Sequence, residues 1–348
     1  MIGIDARITA YRIGGITTYI QRLIQALEPH LTPDQFKVFQ SRKADAPLSK
    51  HFPSAKLWTP PHHRLECVAL SAELLPHRLD VFHSPDFIPP MRGGKKHIIT
   101  VHDLTFLHFP EHKDQSAQRY YNDQIKMAVK QADHILSVSE ATKHDLIHML
   151  NVPADKITVQ PHGVDPRYKP GTPQNLDLPP DYLLFVGTIE PRKNIPLLLD
   201  AYAALKDAPP LVLVGRVGWL MDDVLSRIRQ MPNVIHRDDI TDEMLPSVYQ
   251  GASMLILPSY YEGFGLPLLE AMACGTPVIA ANNSSLPEVV EDAGLLVEIN
   301  TPDALTHAIQ SLMDDSALHQ EMIEKGIKQA SKFTWEKSAQ IALSVYHN

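Results

Sequence analysis

Short, almost wholly apolar runs alternate with longer stretches in which hydrophobic residues recur at helical spacing, from one end of the chain to the other. The first part contains the runs Ile2–Ala6, Phe36–Gln40, Val81–Ser84, His97–Val101, Ile135–Val138 and Ile157–Gln160. Tyr182–Val186, Leu211–Val214, Met254–Leu257, Pro277–Ala281 and Gly294–Glu298 follow in the second part. A strand that is apolar on both faces has to be covered on both, which is the condition of a parallel sheet flanked by helices. The pattern therefore predicts an α/β protein of two doubly wound, Rossmann-like domains. A length of 348 residues suits two domains of ordinary size. Five prolines between Pro166 and Pro180 mark that segment as the candidate linker, giving domains 1–168 and 172–332.

Composition narrows the classes. A hydrophobic content of 44% excludes a mainly disordered chain. No apolar run approaches the ~18–20 residues of a membrane span, and residues 1–20 lack a signal-peptide core, so a cytoplasmic protein is expected. Two cysteines, Cys67 and Cys274, cannot make a disulfide framework, which fits a reducing compartment. The net charge of −8 hides a split: residues 1–170 carry +4 and the remainder −12, and the first part holds 14 of the 18 histidines. Small basic clusters such as Arg92-Gly93-Gly94-Lys95-Lys96 fall short of a nucleic-acid-binding stripe, so no nucleic-acid partner is expected.

Doubly wound sheets bind ligands where strands lead into helix N-termini, and three such places carry chemistry. After Ile2–Ala6, the loop Arg7–Gly15 ends in Gly14 and Gly15, which open a helix and leave its backbone N–H groups approachable. A plain glycine turn is the alternative. After Tyr182–Val186, Arg192 and Lys193 stand directly before a helix start at Asn194 and Pro196, adding cations to an electropositive end. An external anion, a diphosphate above all, would resolve that conflict; two solvated cations are the alternative. After Met254–Leu257, Gly263 and Gly265 precede a helix opened by Pro267 and closed by Gly275, while Glu262 and Glu270 flank its start. Carboxylates so placed can accept hydrogen bonds from vicinal hydroxyls; dipole compensation alone would not explain the glycine pair. The chain has no G-x-G-x-x-G, which weakens a nicotinamide-dependent reading.

Glu262 and Glu270 bracket Gly-Phe-Gly-Leu-Pro-Leu-Leu in a pattern that resembles the E-x7-E block of retaining GT-B glycosyltransferases of family 4. The segments Gly187–Asn194, Val138-Ser139-Glu140, Pro161-His162-Gly163-Val164-Asp165 and Phe333-Thr334-Trp335-Glu336 are similar to the same family, in its order along the chain. The resemblance implies two Rossmann-like domains facing across a cleft, with the nucleotide-sugar held mainly by the C-terminal one. It also implies that a last helix, within 334–348, returns to the N-terminal domain. By the same resemblance Glu262 and the backbone of Gly263, Phe264, Gly265 and Leu266 bind the donor sugar, and Glu270 binds the ribose hydroxyls. Arg192 and Lys193 hold the diphosphate, approached by Gly14 and Gly15, and His102 lies near the sugar to polarise it or relay a proton. His162 stands where the family often has Asn and is assigned no role.

The function that follows is retaining transfer of a hexose, with mannose from GDP-mannose as the first choice, to a glycan or lipid-linked acceptor in surface-polysaccharide assembly. No Asp-x-Asp is present, so neither a metal nor another cofactor is expected. A UDP-sugar-dependent transferase, a sucrose- or trehalose-type synthase, and a non-catalytic nucleotide-sugar binder are the alternatives. The mildly basic N-terminal part suits peripheral contact with an anionic membrane. Two weaker signals are His144 and His148 at i, i+4, which lack an evident third metal ligand, and the amphipathic stretch His62–Leu79, read first as a packed helix.

Overall fold

In the computed structural model, which describes residues 1–11, 14–63, 65–112 and 115–348, the apolar runs form two wholly parallel sheets. Arg12 and Ile13 of the expected loop, and Arg64 of the stretch His62–Leu79, lie outside the described residues. The first sheet comprises β1 (Ile2–Asp5), β2 (Phe36–Ser41), β3 (Ser54–Leu57), β4 (Leu79–Ser84), β5 (Gly94–Val101), β6 (His134–Ser137) and β7 (Ile157–Val159), in spatial order β3-β2-β1-β4-β5-β6-β7. The second comprises β8 (Leu183–Val186), β9 (Leu211–Val214), β10 (Val234–Arg237), β11 (Met254–Leu257), β12 (Val278–Ala281) and β13 (Leu295–Val297), in order β10-β9-β8-β11-β12-β13. Each order reverses once, between β1 and β4 and between β8 and β11, which is the doubly wound arrangement.

Side-chain alternation distributes each strand between two cores. Ile98 faces the layer containing helices Gly15–Leu27 and Trp335–His347, while the next residue, Ile99, faces helices Gln115–Gln131 and Glu140–Leu150. Ile135 and Leu136 divide in the same way. In the second sheet β8, β9, β11 and β12 are buried along their whole length, as the near-continuous apolar runs require.

The two strands that the apolar pattern misses, β3 and β10, are both sheet edges. Ser-Ala-Lys-Leu and Val-Ile-His-Arg keep polar side chains there because one flank meets solvent rather than another strand.

The chain divides into one unit of Met1–Gly163 with Thr334–Asn348 and another of Val164–Phe333. By contacts the division falls at 163/164, so the proline-rich segment Pro166–Pro180 packs with the second unit. Its Tyr168 is buried with its ring edge-on to Tyr249 at 5.8 Å, and the Lys169 and Leu176 carbonyls accept from Gln250 and Arg237. Proline here shapes a strap held down by side chains of its own unit. The final helix, Trp335–His347, is capped by the Thr334 hydroxyl and packs on the sheet of the N-terminal unit. Its entry explains one glycine: any side chain at Gly163 would strike the backbone of Thr334 and Trp335. No helix among the described residues is long and apolar enough to cross a membrane.

Candidate functional site

Beyond β8 the chain runs through a 3-10 turn, Pro191–Lys193, into helix Ile195–Ala204; beyond β11 it runs from Pro258 to Gly265 into helix Leu266–Cys274. These two loops meet at the point where the strand order reverses. The Tyr260 N–H donates to the Arg192 carbonyl at 2.9 Å, tying one loop to the other. The Lys193 ammonium lies 2.5 Å from Oε1 of Glu262, and the Arg192 guanidinium lies 2.7 Å from its Oε2. The Ser259 hydroxyl donates to Oε1 at 2.7 Å, and Ser284 and Ser285 bond the Glu262 backbone. Arg192 also donates to Glu190 at 2.6 Å and to the Tyr261 carbonyl at 2.7 Å.

Glu190, Lys193 and Glu262 are all buried. Burial pushes the Glu262 carboxyl up, but the Lys193 and Arg192 charges and the hydrogen bonds from Lys193 and Ser259 outweigh it and hold it at about 2. Burial, with help from neighbouring Arg192, draws the Lys193 ammonium below its ordinary value even beside Glu262. This corrects the expectation of two uncompensated cations: Glu262 and Glu190 neutralise them within the unit. Asn194 does stand at the helix start but caps nothing; it adopts the left-handed conformation (φ 55°) and makes no side-chain cap bond. Helices Ile195–Ala204, Leu266–Cys274 and Gly15–Leu27 all begin without a side-chain cap, which leaves their first N–H groups to other acceptors.

Glu270, half-buried in helix Leu266–Cys274, accepts the Tyr249 hydroxyl at 2.8 Å rather than joining the ion pairs. Burial raises its carboxyl to about 7 against the pull of the Tyr249 and Tyr168 hydroxyls. Gly263, Phe264 and Gly265 are buried, with Gly265 left-handed (φ 100°) at the helix start and Phe264 edge-on to Phe333. A side chain at Gly265 would strain that backbone.

In the N-terminal unit Gly14 and Gly15 are exposed at the start of helix Gly15–Leu27, Gly14 at φ 153° with open space where a side chain would stand. His102 follows β5, and its Nε2 lies 2.8 Å from the Pro85 carbonyl. A carbonyl can only accept, so Nε2 carries the proton and Nδ1 keeps its lone pair. Burial lowers the affinity of this ring for a second proton, so His102 is neutral and offers Nδ1 as an acceptor. Tyr19 packs edge-on to it at 5.0 Å and His162 stacks on it at 5.6 Å, so His162 is a buried packing partner.

Two buried polar systems in this unit were not legible from residue spacing. The Tyr19 hydroxyl bonds Thr100 and Gln160, His83 bridges Thr100 to the Tyr346 hydroxyl at 2.8 and 2.7 Å, and Gln160 donates to the Ser338 carbonyl. That network fastens the final helix to the sheet. At the carboxyl end of β1, Arg7 is buried between Asp5 and Glu66, 2.6 Å from each. The signal available for it was a charged pair, Asp5 and Arg7, directly after an apolar strand. His144 and His148 lie ring against ring at 4.0 Å, and no metal-binding cluster is found among the described residues.

Sucrose-phosphate synthase from Thermosynechococcus elongatus shares the fold over 99% of this chain and 98% of its own, with a TM-score of 0.81 at 22% identity. Residues 13–168 match Glycosyltransferase Family 4 and residues 172–329 match Glycosyl transferases group 1, and the chain belongs to this glycosyltransferase family. It is 37% identical over 283 residues to the O-antigen chain mannosyltransferase B of Escherichia coli, covering 76% of this chain and 74% of that protein. It is 27% identical over 279 residues to the serotype-specific mannosyltransferase WbdA of Escherichia coli, spanning 74% of this chain but 34% of that longer protein.

Proposed function

We infer that the chain is a retaining mannosyltransferase that uses GDP-mannose and extends a glycan or lipid-linked acceptor in surface-polysaccharide assembly. The likeness to O-antigen chain mannosyltransferase B supports the sugar and the pathway class. The observation that carries the chemistry is the Arg192–Glu262–Lys193 constellation beside two uncapped helix starts. Cleaving an anomeric C–O bond leaves negative charge on the departing diphosphate. Lys193, Arg192 and the helix N–H groups supply fixed positive charge for it, so stabilisation grows as the bond breaks. In this reading the diphosphate takes both cations from Glu262, whose carboxylate then accepts hydroxyls of the transferred sugar. The backbone from Gly263 to Leu266 supports that sugar, and Glu270 accepts the ribose hydroxyls. In the N-terminal unit, Gly14 and Gly15 offer backbone N–H groups and His102 offers its Nδ1 lone pair to a substrate hydroxyl. Two protein cations do the charge neutralisation, so the proposed reaction needs no metal.

The N-terminal unit also presents a surface suited to the inner face of an anionic membrane. Helix Glu66–Leu74 packs into the core through Leu70 and Leu74, while Val68 on its other side and the flanking Leu65, Leu75 and Met91 are exposed, with Arg78 and Arg92 exposed beside them. The Met91 N–H bonds the Cys67 carbonyl, and Leu75, Arg78, Met91 and Arg92 line one hollow, so the apolar and basic groups form a single patch. Co-sedimentation with phosphatidylglycerol-containing vesicles, fading with salt, is the expected behaviour; salt-insensitive or absent binding would remove this contact.

Thermal-shift titration with GDP-, UDP- and ADP-sugars tests the donor, since a bound nucleotide raises the melting temperature. A shift confined to UDP-sugars would replace the donor. An inverted anomeric signal in the product NMR spectrum would overturn retention.

A further inference from the structure

Glu270 is held by groups that the ion pairs around Glu262 do not use. Tyr249, on the short helix Leu245–Gln250, is fully buried and donates its hydroxyl to Oε2 of Glu270 at 2.8 Å. Its backbone carbonyl accepts the Thr276 hydroxyl at 2.7 Å, so the ring stands on a fixed element. Tyr168, on the strap that runs from Pro166 to Pro180, is also buried and donates a second hydroxyl to the same carboxyl. The two phenol rings meet edge-on at 5.8 Å. Behind Tyr168, Nη2 of Arg167 donates to its hydroxyl at 3.0 Å and to Asp242 at 2.6 Å.

The direction of these bonds is determined. A phenol that accepts from a guanidinium gives its own proton elsewhere, so Tyr168 is a donor toward Glu270. Burial first, and the Glu270 charge next, push both phenols well above their ordinary value, so each keeps its proton at working pH. Both bonds from the protein are therefore donated to the carboxyl, and a proton that Glu270 takes up is directed to its ligand side. There it turns an acceptor into a donor. Burial raises the carboxyl to about 7 against the two hydroxyls, which places that change within the working range. Of the other groups facing it, Asp242 raises it and Arg167 lowers it, while the Cys274 thiol follows one turn along the same helix. With either hydroxyl removed, burial meets less opposition and the carboxyl holds its proton to higher pH.

We propose that Tyr168 and Tyr249 are positioning residues for the nucleotide: their donated bonds hold Glu270 ionised with its accepting oxygen turned to the ribose hydroxyls, so that donor binding strengthens as pH rises. The strap thereby has a task beyond packing, since it carries Tyr168 and Arg167 to the carboxyl. The proposal rests on the donor reading above and adds to it two residues that act through Glu270.

Calorimetric titration of GDP and of 2′,3′-dideoxy-GDP into the full chain, from pH 5.5 to pH 9.5, tests it. Both probes share the titration of the diphosphate, so the ratio of their affinities isolates the ribose hydroxyls. In wild-type protein that ratio is expected to rise with pH by at least about tenfold, the worth of one hydrogen bond to a charged group. In Tyr249→Phe and Tyr168→Phe the midpoint of the rise is expected to move up by about one pH unit or more, the ratio approaching its wild-type value at pH 9.5. A merely structural loss would weaken both probes at every pH and leave the midpoint in place. If both variants melt early, melting without ligand decides. The difference between Tyr249→Phe and Tyr249→Phe/Glu270→Gln, followed across pH, is expected to change at higher pH than the difference between wild type and Glu270→Gln. A ratio independent of pH in wild-type protein, or midpoints unmoved in both variants, overturns the proposal. Failure of GDP to bind wild-type protein at any pH overturns the donor reading instead, and the ligand-free differences still decide whether the tyrosines govern Glu270.

Discussion

Replacing Glu262 by Gln keeps its shape and removes the charge that Lys193 and Arg192 share. The carboxyl is held at about 2 against an ordinary 4.5, which at 1.36 kcal/mol per pH unit makes the ionised form about 3 kcal/mol more favourable in the folded unit. A depressed carboxyl contributes its full stabilisation above 4.5 and loses it as pH falls toward 2. The deficit of the variant is therefore complete at pH 7 and shrinks below pH 4.5. For a unit of this size, about 3 kcal/mol lowers the melting temperature by roughly 6–12 °C. Lys193 is already drawn down by burial, so it can shed its proton in the variant, and the lower end of that range is expected. GDP provides the decisive arm. On the proposed reading the diphosphate has to displace Glu262 from both cations in wild-type protein; in the variant they have no such competitor. Saturating GDP should raise the melting temperature of Glu262→Gln more than that of wild type, with affinity by calorimetry tighter by up to about tenfold, while sugar transfer is lost. An unchanged melting temperature would show that the ion pairs contribute no stability. A normal drop with an ordinary or weaker GDP effect would show that the diphosphate binds elsewhere.

A carboxyl raised to about 7, as at Glu270, favours folding most below 4.5 and costs stability as pH rises through 7; melting curves of Glu270→Gln should gain on wild type across that interval. If ribose hydroxyls bind the ionised form, GDP binding near pH 7 should release a proton, read from calorimetry in buffers of different ionisation enthalpy. Tyr346→Phe should cost about 1–3 kcal/mol in urea unfolding, because the Nδ1 of buried His83 loses its bond. Transfer should persist in excess EDTA; a strict metal requirement would overturn the charge assignment of Arg192 and Lys193.

The central strands were legible because burial on both faces leaves a continuous apolar run, as in Leu183–Val186 and Met254–Leu257. β3 and β10 escaped for the opposite reason, since an edge strand can keep Lys56 or Arg237 without burying a charge. Pro166–Pro180 looked like a linker because proline density marks irregular backbone. Whether such backbone is free or strapped down depends on contacts such as Tyr168 with Tyr249, which are distant in sequence. The same distance hid the Tyr19–Thr100–His83–Tyr346 chain, whose members lie on four separate elements.

The site shows how far charge arithmetic along a chain can go. Arg192 and Lys193 before a helix start do point to an anion. The first anion they meet is Glu262, seventy positions from Arg192, which spacing alone could not place. That changes what the pattern means. A bare cation pair would bind any phosphate and would be costly to keep buried; a pair already neutralised by a carboxylate is stable empty and selective when filled. A ligand has to bring enough negative charge to replace Glu262, and something for the displaced carboxylate to bind. A diphosphate carrying a sugar supplies both in one molecule, whereas inorganic phosphate supplies only the first. The β1–β4 reversal point has no such exchangeable cation, because Arg7 is locked by two carboxylates and a carbonyl. Two sheets wound by the same rule thus present reversal points of different chemistry: Arg192 and Lys193 share one carboxylate, Glu262, whereas Arg7 is held by Asp5, Glu66 and the Thr59 carbonyl.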